Sequence, residues 1–318
     1  MKIEALHTLE LGDGKVLGVD VQADGALVAA AGRDGVVHVV DSQSAEVVQR
    51  LKGHHEFVCA LLFLPGGKLL SSGKDTSIRQ WSVAKGEFES DMAGVVSGPA
   101  SRTLRGQMMK SSRIGHTMTT LSLARAESGL LGSGGQDNLV KLWRSGQVLR
   151  SFDWHSRPVT RVAFRPGTDE LISASRDLTI RSWNAETGAM VHRYAAHEDE
   201  IESLSWVDEQ RFISGDLRGE LYLWQQQSEK PLGLFATVPS AVRCSVADPS
   251  RHRLFVGLES GDLCVFDTQP RPRLAEDPEI CRVEAHDFAI RCVALSADGK
   301  LLATGGNDGK LHLWRVED

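Results

Sequence analysis

The chain has 318 residues, 41% apolar and 25% charged, with a net charge of -6; that is ordinary for a globular protein and argues against a surface built wholly for nucleic acid. The longest apolar run, Phe57 to Leu64, is far too short to cross a bilayer as a helix, and the N-terminus lacks the pattern of a secretory signal. Cys59, Cys244, Cys264, Cys281 and Cys292 form no C-x-x-C pair, so neither a disulfide framework nor a cysteine zinc site is expected, and a reducing, cytoplasmic setting is.

In chain order, a short strand at 3–9 is followed by runs of alternating apolar and polar residues separated by Gly, Asp, Asn or Pro turns. One set of four runs is 58–64, 69–72, 78–82 and 87–90, and others end at 152 and 194. Residues 94–113 then interrupt the pattern with Arg102, Arg105, Lys110 and Arg113 and no acidic residue, and residues 268–278 bring Pro270, Pro272 and Pro278. Only four residues follow Trp314, so the last set lacks its outer strand, and residues 1–10 are the segment left to supply it.

The runs repeat. Strands ending at Trp81, Trp143, Trp183, Trp224 and Trp314, with weaker copies ending at Val40 and Phe266, give seven units over the chain. Each tryptophan has a histidine 27 or 28 residues before it (His54, His116, His155, His197, His286) and a hydroxyl ten before it (Ser71, Ser133, Ser173, Ser214, Thr304). Six before it stands Asp75, Asp137, Asp177 or Asp308; in the fifth copy that place holds Arg218. In the first and sixth copies histidine, hydroxyl and tryptophan are lost together, with Ala30, Val40, Val256 and Phe266 in the hydroxyl and indole places. Buried polar groups that satisfy one another should be lost together, because one left unpaired costs about 1–3 kcal/mol.

On these residues the chain resembles the WD-repeat family. The resemblance implies an all-β fold: a single seven-bladed β-propeller over 1–318, with four-stranded antiparallel blades and a ring closed by the N-terminal strand pairing in the last blade. The basic insert 94–113 would join blades two and three, and 268–278 would be a stiff loop in blade six on the opposite rim.

His, Ser and Asp are also the parts of a nucleophilic triad. Here they recur at fixed spacing in blade after blade, whereas a catalytic site is needed once; the structural reading wins, and no enzyme is expected. Gly66-Gly67-Lys68 and Gly73-Lys74-Asp75 do not fit a phosphate-binding loop. The other histidines, His38 and His312 among them, are expected to be solvated, and no metal or cofactor site is expected.

The resemblance further implies that partners bind on the rim beside the histidine turn, three and five residues after each histidine and at the residue before each tetrad aspartate. In this sequence those places include Lys15, Leu17, Arg33, Phe57, Lys74, Leu121, Arg176, Glu200, Glu202 and Arg291. The signs divide: Arg291, Lys15, Arg33 and Lys74 fall on blades seven, one and two, while Glu200, Glu202 and Glu259 fall on blades five and six. A scaffold holding an acidic or amphipathic peptide on a bipolar rim is the expected function. The alternative is nucleic-acid association through Arg102, Arg105, Lys110 and Arg113, and an enzyme of propeller fold ranks last.

Overall fold

A computed structural model describes residues 1–12, 14–92, 115–270 and 277–317. The insert residues Arg102, Arg105, Lys110 and Arg113, and most of the proline-rich loop, lie outside the described residues. Seven four-stranded antiparallel sheets follow one another around a ring. In blade two the strands are Val58–Leu64, Lys68–Gly73, Ile78–Ser82 and Glu87–Asp91, close to the runs expected from alternation.

The seventh sheet takes its outer strand from the N-terminus. Lys2–Glu10 pairs antiparallel with Lys310–Glu317, from Lys2 opposite Glu317 to Glu10 opposite Lys310. Strands from both ends of the sequence therefore meet in one blade, and Lys310–Glu317 is not left as the exposed outer edge of a three-stranded sheet.

No single core fills the molecule. Among the described residues there are seven apolar clusters, one at each junction between neighbouring blades. The junction of blades one and seven packs Val19, Val28 and Val40 against Ala303 and Leu313. The junction of blades two and three, where the insert lies in sequence, is the smallest, with Leu70, Ile78, Met92 and Trp143 buried. This is how a chain of this length avoids both one oversized core and separate domains.

Each innermost strand carries a β-bulge at its histidine-side end. Val58 lies opposite Gly73 and Ala60 opposite Ser72, so Cys59 has no partner across the ladder. The same slip leaves Leu17, Leu121, Thr160, Glu202, Arg243 and Arg291 as the bulged residues of the other blades. A bulge re-aims a side chain, and six of the seven bulged residues, all but Arg243, line the mouth of the central channel. The neighbouring turn needs a left-handed residue; at Gly261 (φ 95°) a β carbon would stand 2.1 Å from the His286 carbonyl oxygen, so only glycine fits.

Candidate partner-binding face

The repeated histidines are fully engaged inside the sheets. In blade two, His54 Nδ1 donates to Asp75 at 2.8 Å, Ser71 Oγ donates to His54 Nε2 at 2.6 Å, and Trp81 Nε1 donates to the same hydroxyl at 2.7 Å. Blades three, four and seven repeat the chain through His116, His155 and His286. Burial pushes the carboxyls of Asp75 and Asp137 up, but the histidine hydrogen bond together with the neighbouring backbone amides outweighs it and holds both below the ordinary carboxylate range. Each of these tetrad hydroxyls is held between a histidine and a tryptophan.

Blade five corrects the sequence reading. Arg218 does not interrupt the network, because Asp216 completes it: His197 Nδ1 donates to Asp216 Oδ2 at 2.6 Å, and Ser214 joins His197 to Trp224 as elsewhere. Asp216 sits where blades three and seven have Gly135 and Gly306. A β carbon on either glycine would stand 2.5 Å from the tetrad histidine Nδ1, so a side chain grown there points at that nitrogen. Asp216 also accepts from the amides of Arg218 and Glu220, each at 3.0 Å, as a tetrad aspartate does from its own turn. Arg218 turns outward to Glu198.

Two histidines expected in solvent are not there. His38 is 8% exposed and bonds Asp34 through Nε2 at 3.1 Å, so blade one keeps a reduced polar pair where its tetrad is missing. His312 is half-buried with its ring 4.3 Å from that of His286, and its Nδ1 bonds Thr8 Oγ1 of the closing strand at 2.9 Å. Burial, then the neighbouring His286, lower its pKa to about 4. His286, Asp308 and His312 come within ligand distance of one another, but both ring nitrogens of His286 are already bonded, which leaves too few free donors for a metal.

The rim positions fall on one face in all seven blades. The carbonyl three residues after the histidine position accepts from the amide of the residue before the aspartate position: Lys15 from Arg33 at 3.1 Å, Phe57 from Lys74 at 3.0 Å, Pro158 from Arg176 at 3.0 Å and Glu200 from Leu217 at 3.1 Å. The same bond joins Thr119 to Gln136, Ala241 to Glu259 and Ala289 to Asn307. Blades one and six, which lack the histidine, therefore keep its geometry.

The acidic arc expected on this rim is neutralised. Arg176 bonds Glu202 at 2.9 Å and Glu200 at 3.3 Å, Arg157 holds Glu200 at 2.7 Å, and Arg243 holds Glu259. On the basic arc, Lys74 lies 3.3 Å from Glu56 and 5.3 Å from the centre of the Phe57 ring. Lys15 and Arg33 are exposed and Arg291 is half-buried; none of the three has an ion-pair partner among the described residues. Of these rim charges, the ones left without a partner among the described residues are cations, Lys15 and Arg33 on blade one and Arg291 on blade seven.

Inside this arc the channel opens as a lumen of about 470 Å³, lined by Leu17, Phe57 and Leu121 together with Arg161, Arg176, Glu202 and Arg291. Trp154, Met118 and Phe288, 58%, 51% and 62% exposed, stand beside tetrad histidines on the same side. Sequence reasoning passed over Arg161 and these apolar side chains, although the latter lie one residue before or two after a histidine. A larger groove of about 710 Å³ follows the closure seam on the opposite face, but its charges are of both signs, with Asp24, Asp298 and Glu317 beside Lys300 and Arg315.

Comparison with known proteins agrees with this architecture. The family described as "WD domain, G-beta repeat" matches residues 4–41, 45–82, 146–184 and 278–315. The chain is 26% identical to a guanine nucleotide-binding protein subunit beta of Zea mays, over 97% of this chain and 82% of that protein. It is 25% identical to the U3 snoRNP-associated protein-like EMB2271 of Arabidopsis thaliana, covering 90% of this chain and 62% of the relative. It is 22% identical to apoptotic protease-activating factor 1 of Rattus norvegicus, covering 84% of this chain but 22% of the relative. With the repeats matched, relatives aligned over most of its length and seven blades in a closed ring, the chain belongs to the WD-repeat family of β-propellers.

Proposed function

We propose that this propeller is a non-catalytic scaffold that docks a protein partner on its histidine-side face, along the arc from blade seven through blades one and two. The observation that carries the reading is the inequality of the rim: Glu200, Glu202 and Glu259 are engaged by arginines, while Lys15, Arg33 and Arg291 have no carboxylate partner among the described residues. An acidic or amphipathic segment fits such a face, its charges meeting the free cations and its apolar side chains meeting Phe57, Leu17 and Leu121. The relatives support a general role in protein assembly, since a G-protein subunit and a protease-activating factor are of different processes yet share the repeat.

The test is quantitative affinity purification from cells of the source organism with the wild-type chain, the double variant Lys15→Glu/Arg33→Glu, and the opposite-face control Lys300→Glu. The main partner should fall at least tenfold with the double variant and stay at wild-type level with the control. Equal recovery with all three baits would remove this face from consideration.

A further inference from the structure

The channel mouth holds more positive charge than the fold can account for. Arg161 reaches across the lumen from blade four: its Nη1 donates to the Thr160 carbonyl at 2.8 Å and its Nη2 to the Arg243 carbonyl of blade six at 2.9 Å. Both acceptors are neutral. Room for it exists because the equivalent places in the other blades, fixed by strand register, hold Gly18, Ala60, Ser122, Ser203, Cys244 and Cys292. Six small side chains leave space for one long one.

Arg291 enters the same lumen from blade seven, as the bulged residue of its innermost strand. It forms no hydrogen bond or ion pair among the described residues. The charges of Arg161 and Arg291 both bear on the thiols of Cys59, Cys244 and Cys292, which places the two guanidinium groups in one neighbourhood. Those thiols cannot serve as counter-anions, since burial pushes Cys59 up to about 12, Cys244 up to about 11 and Cys292 higher still. The one carboxylate lining the lumen among the described residues, Glu202, is held by Arg176. The insert, whatever its position, carries no acidic residue between 93 and 114. Half-buried charge without a counter-charge is costly, and an incoming anion recovers that cost.

We propose that the channel mouth is a socket for one carboxylate side chain, Asp or Glu, of a partner polypeptide, seated between Arg291 and Arg161, with Phe57 and Leu121 receiving an apolar neighbour in the same segment. The proposal rests on the docking face argued above and names what that face selects. A carboxylate fits better than a phosphate ester because the free donors amount to one whole planar guanidinium, suited to a two-point contact with a carboxylate, and the remaining N–H groups of a second whose Nη1 and Nη2 already donate.

The test is selection of linear peptides from a random displayed library on the full chain and on Arg291→Gln, with matching urea midpoints taken as the check that both are folded. The wild-type chain should enrich sequences with an Asp or Glu next to a large apolar residue. A synthetic peptide of that sequence should bind at least tenfold more weakly when its acid is changed to the amide, and that discrimination should vanish on Arg291→Gln. The milder Arg161→Lys variant should reduce it in part.

Absence of enrichment, equal affinity for acid and amide, or discrimination that survives Arg291→Gln would each overturn the socket. Tighter binding of the same peptide with phosphoserine in place of its acid would reassign the site to phosphate and overturn it as stated. Peptides lost on Lys15→Glu/Arg33→Glu but indifferent to Arg291→Gln would leave the docking face standing without the socket. Peptides indifferent to all these variants would remove both.

Discussion

Blades five and one depart from the repeat in opposite ways. Blade five changes the aspartate position to Arg218 yet retains the whole polar chain, because Asp216 enters from where other blades place a glycine. Blade one retains Asp34 at the aspartate position yet has lost histidine, hydroxyl and indole, and its carboxylate instead holds His38 from the third strand. Position in the repeat is therefore a poor guide to whether the network exists. What decides is whether the tetrad histidine is present and a carboxylate, from whichever position, reaches its Nδ1, since a buried ring N–H without an acceptor costs about 1–3 kcal/mol.

The most severe break in this comparison is Asp216→Ala. It strands His197 Nδ1 and the amides of Arg218 and Glu220 in a site where Asp216 is 0% exposed, and should destabilise the ring by about 2–4 kcal/mol. Arg218→Ala, which removes an exposed pair with Glu198, should leave the urea midpoint nearly unchanged. Similar losses from the two substitutions would mean that Asp216 is not the working carboxylate of blade five.

Acid should separate tetrad blades from the rest more gently. Burial lowers the pKa of His155, His286 and His312 below that of an unfolded histidine, so the unfolded chain binds protons first as pH falls through about 6.5, and stability drops. Asp75, Asp137 and Asp177 are held below the ordinary carboxylate range, where burial is outweighed by the histidine hydrogen bond and the neighbouring backbone amides together; their contribution is complete above about pH 4 and is lost below it. Asp20 has the opposite sign. Burial pushes its carboxyl up to about 7 although it accepts from the Phe63 amide of the next blade at 2.6 Å, so its contribution falls as pH rises from about 4 to 7. Urea midpoints should thus fall monotonically from pH 7.5 to 4.5 in Asp20→Asn and less steeply in the wild-type chain. A steeper fall in the wild type would reverse the assignment of Asp20.

How much of this was legible in the sequence depends on whether a feature is set by spacing or by direction. The blade period, four of the tetrads and the closing strand follow from positions along the chain: Trp81 and Ser71 are ten apart because the register of adjacent strands sets Ser71 opposite Arg79, two places from Trp81 on the same face, and residues 3–9 are a strand run that belongs to none of the seven units. Asp216 was hidden because its role depends on where a β carbon points at the end of a strand. The pairing of Glu200 and Glu202 with Arg157 and Arg176 was hidden because those partners come from the neighbouring blade. Arg161 was missed for a third reason: its importance lies in the small residues of the other six blades, which no single repeat displays.

The smallest effect tests the other half of the comparison. Asp34 is partly exposed and His38 is buried; the carboxylate accepts from His38 Nε2 and from the Val36 amide at 3.1 Å each. In Asp34→Asn the amide oxygen can still serve one of these donors, and solvent reaches the site, so the loss should be about 0.5–1 kcal/mol. Asp34→Ala should cost little more, because blade one has no Ser–Trp pair whose orientation depends on the carboxylate. A loss as large as that of Asp216→Ala would mean that His38 and Asp34 hold blade one together as a rebuilt network. A small loss means that the apolar packing of Ala30 and Val40 against Leu301 and Leu313 of blade seven has taken over the work the tetrad does elsewhere.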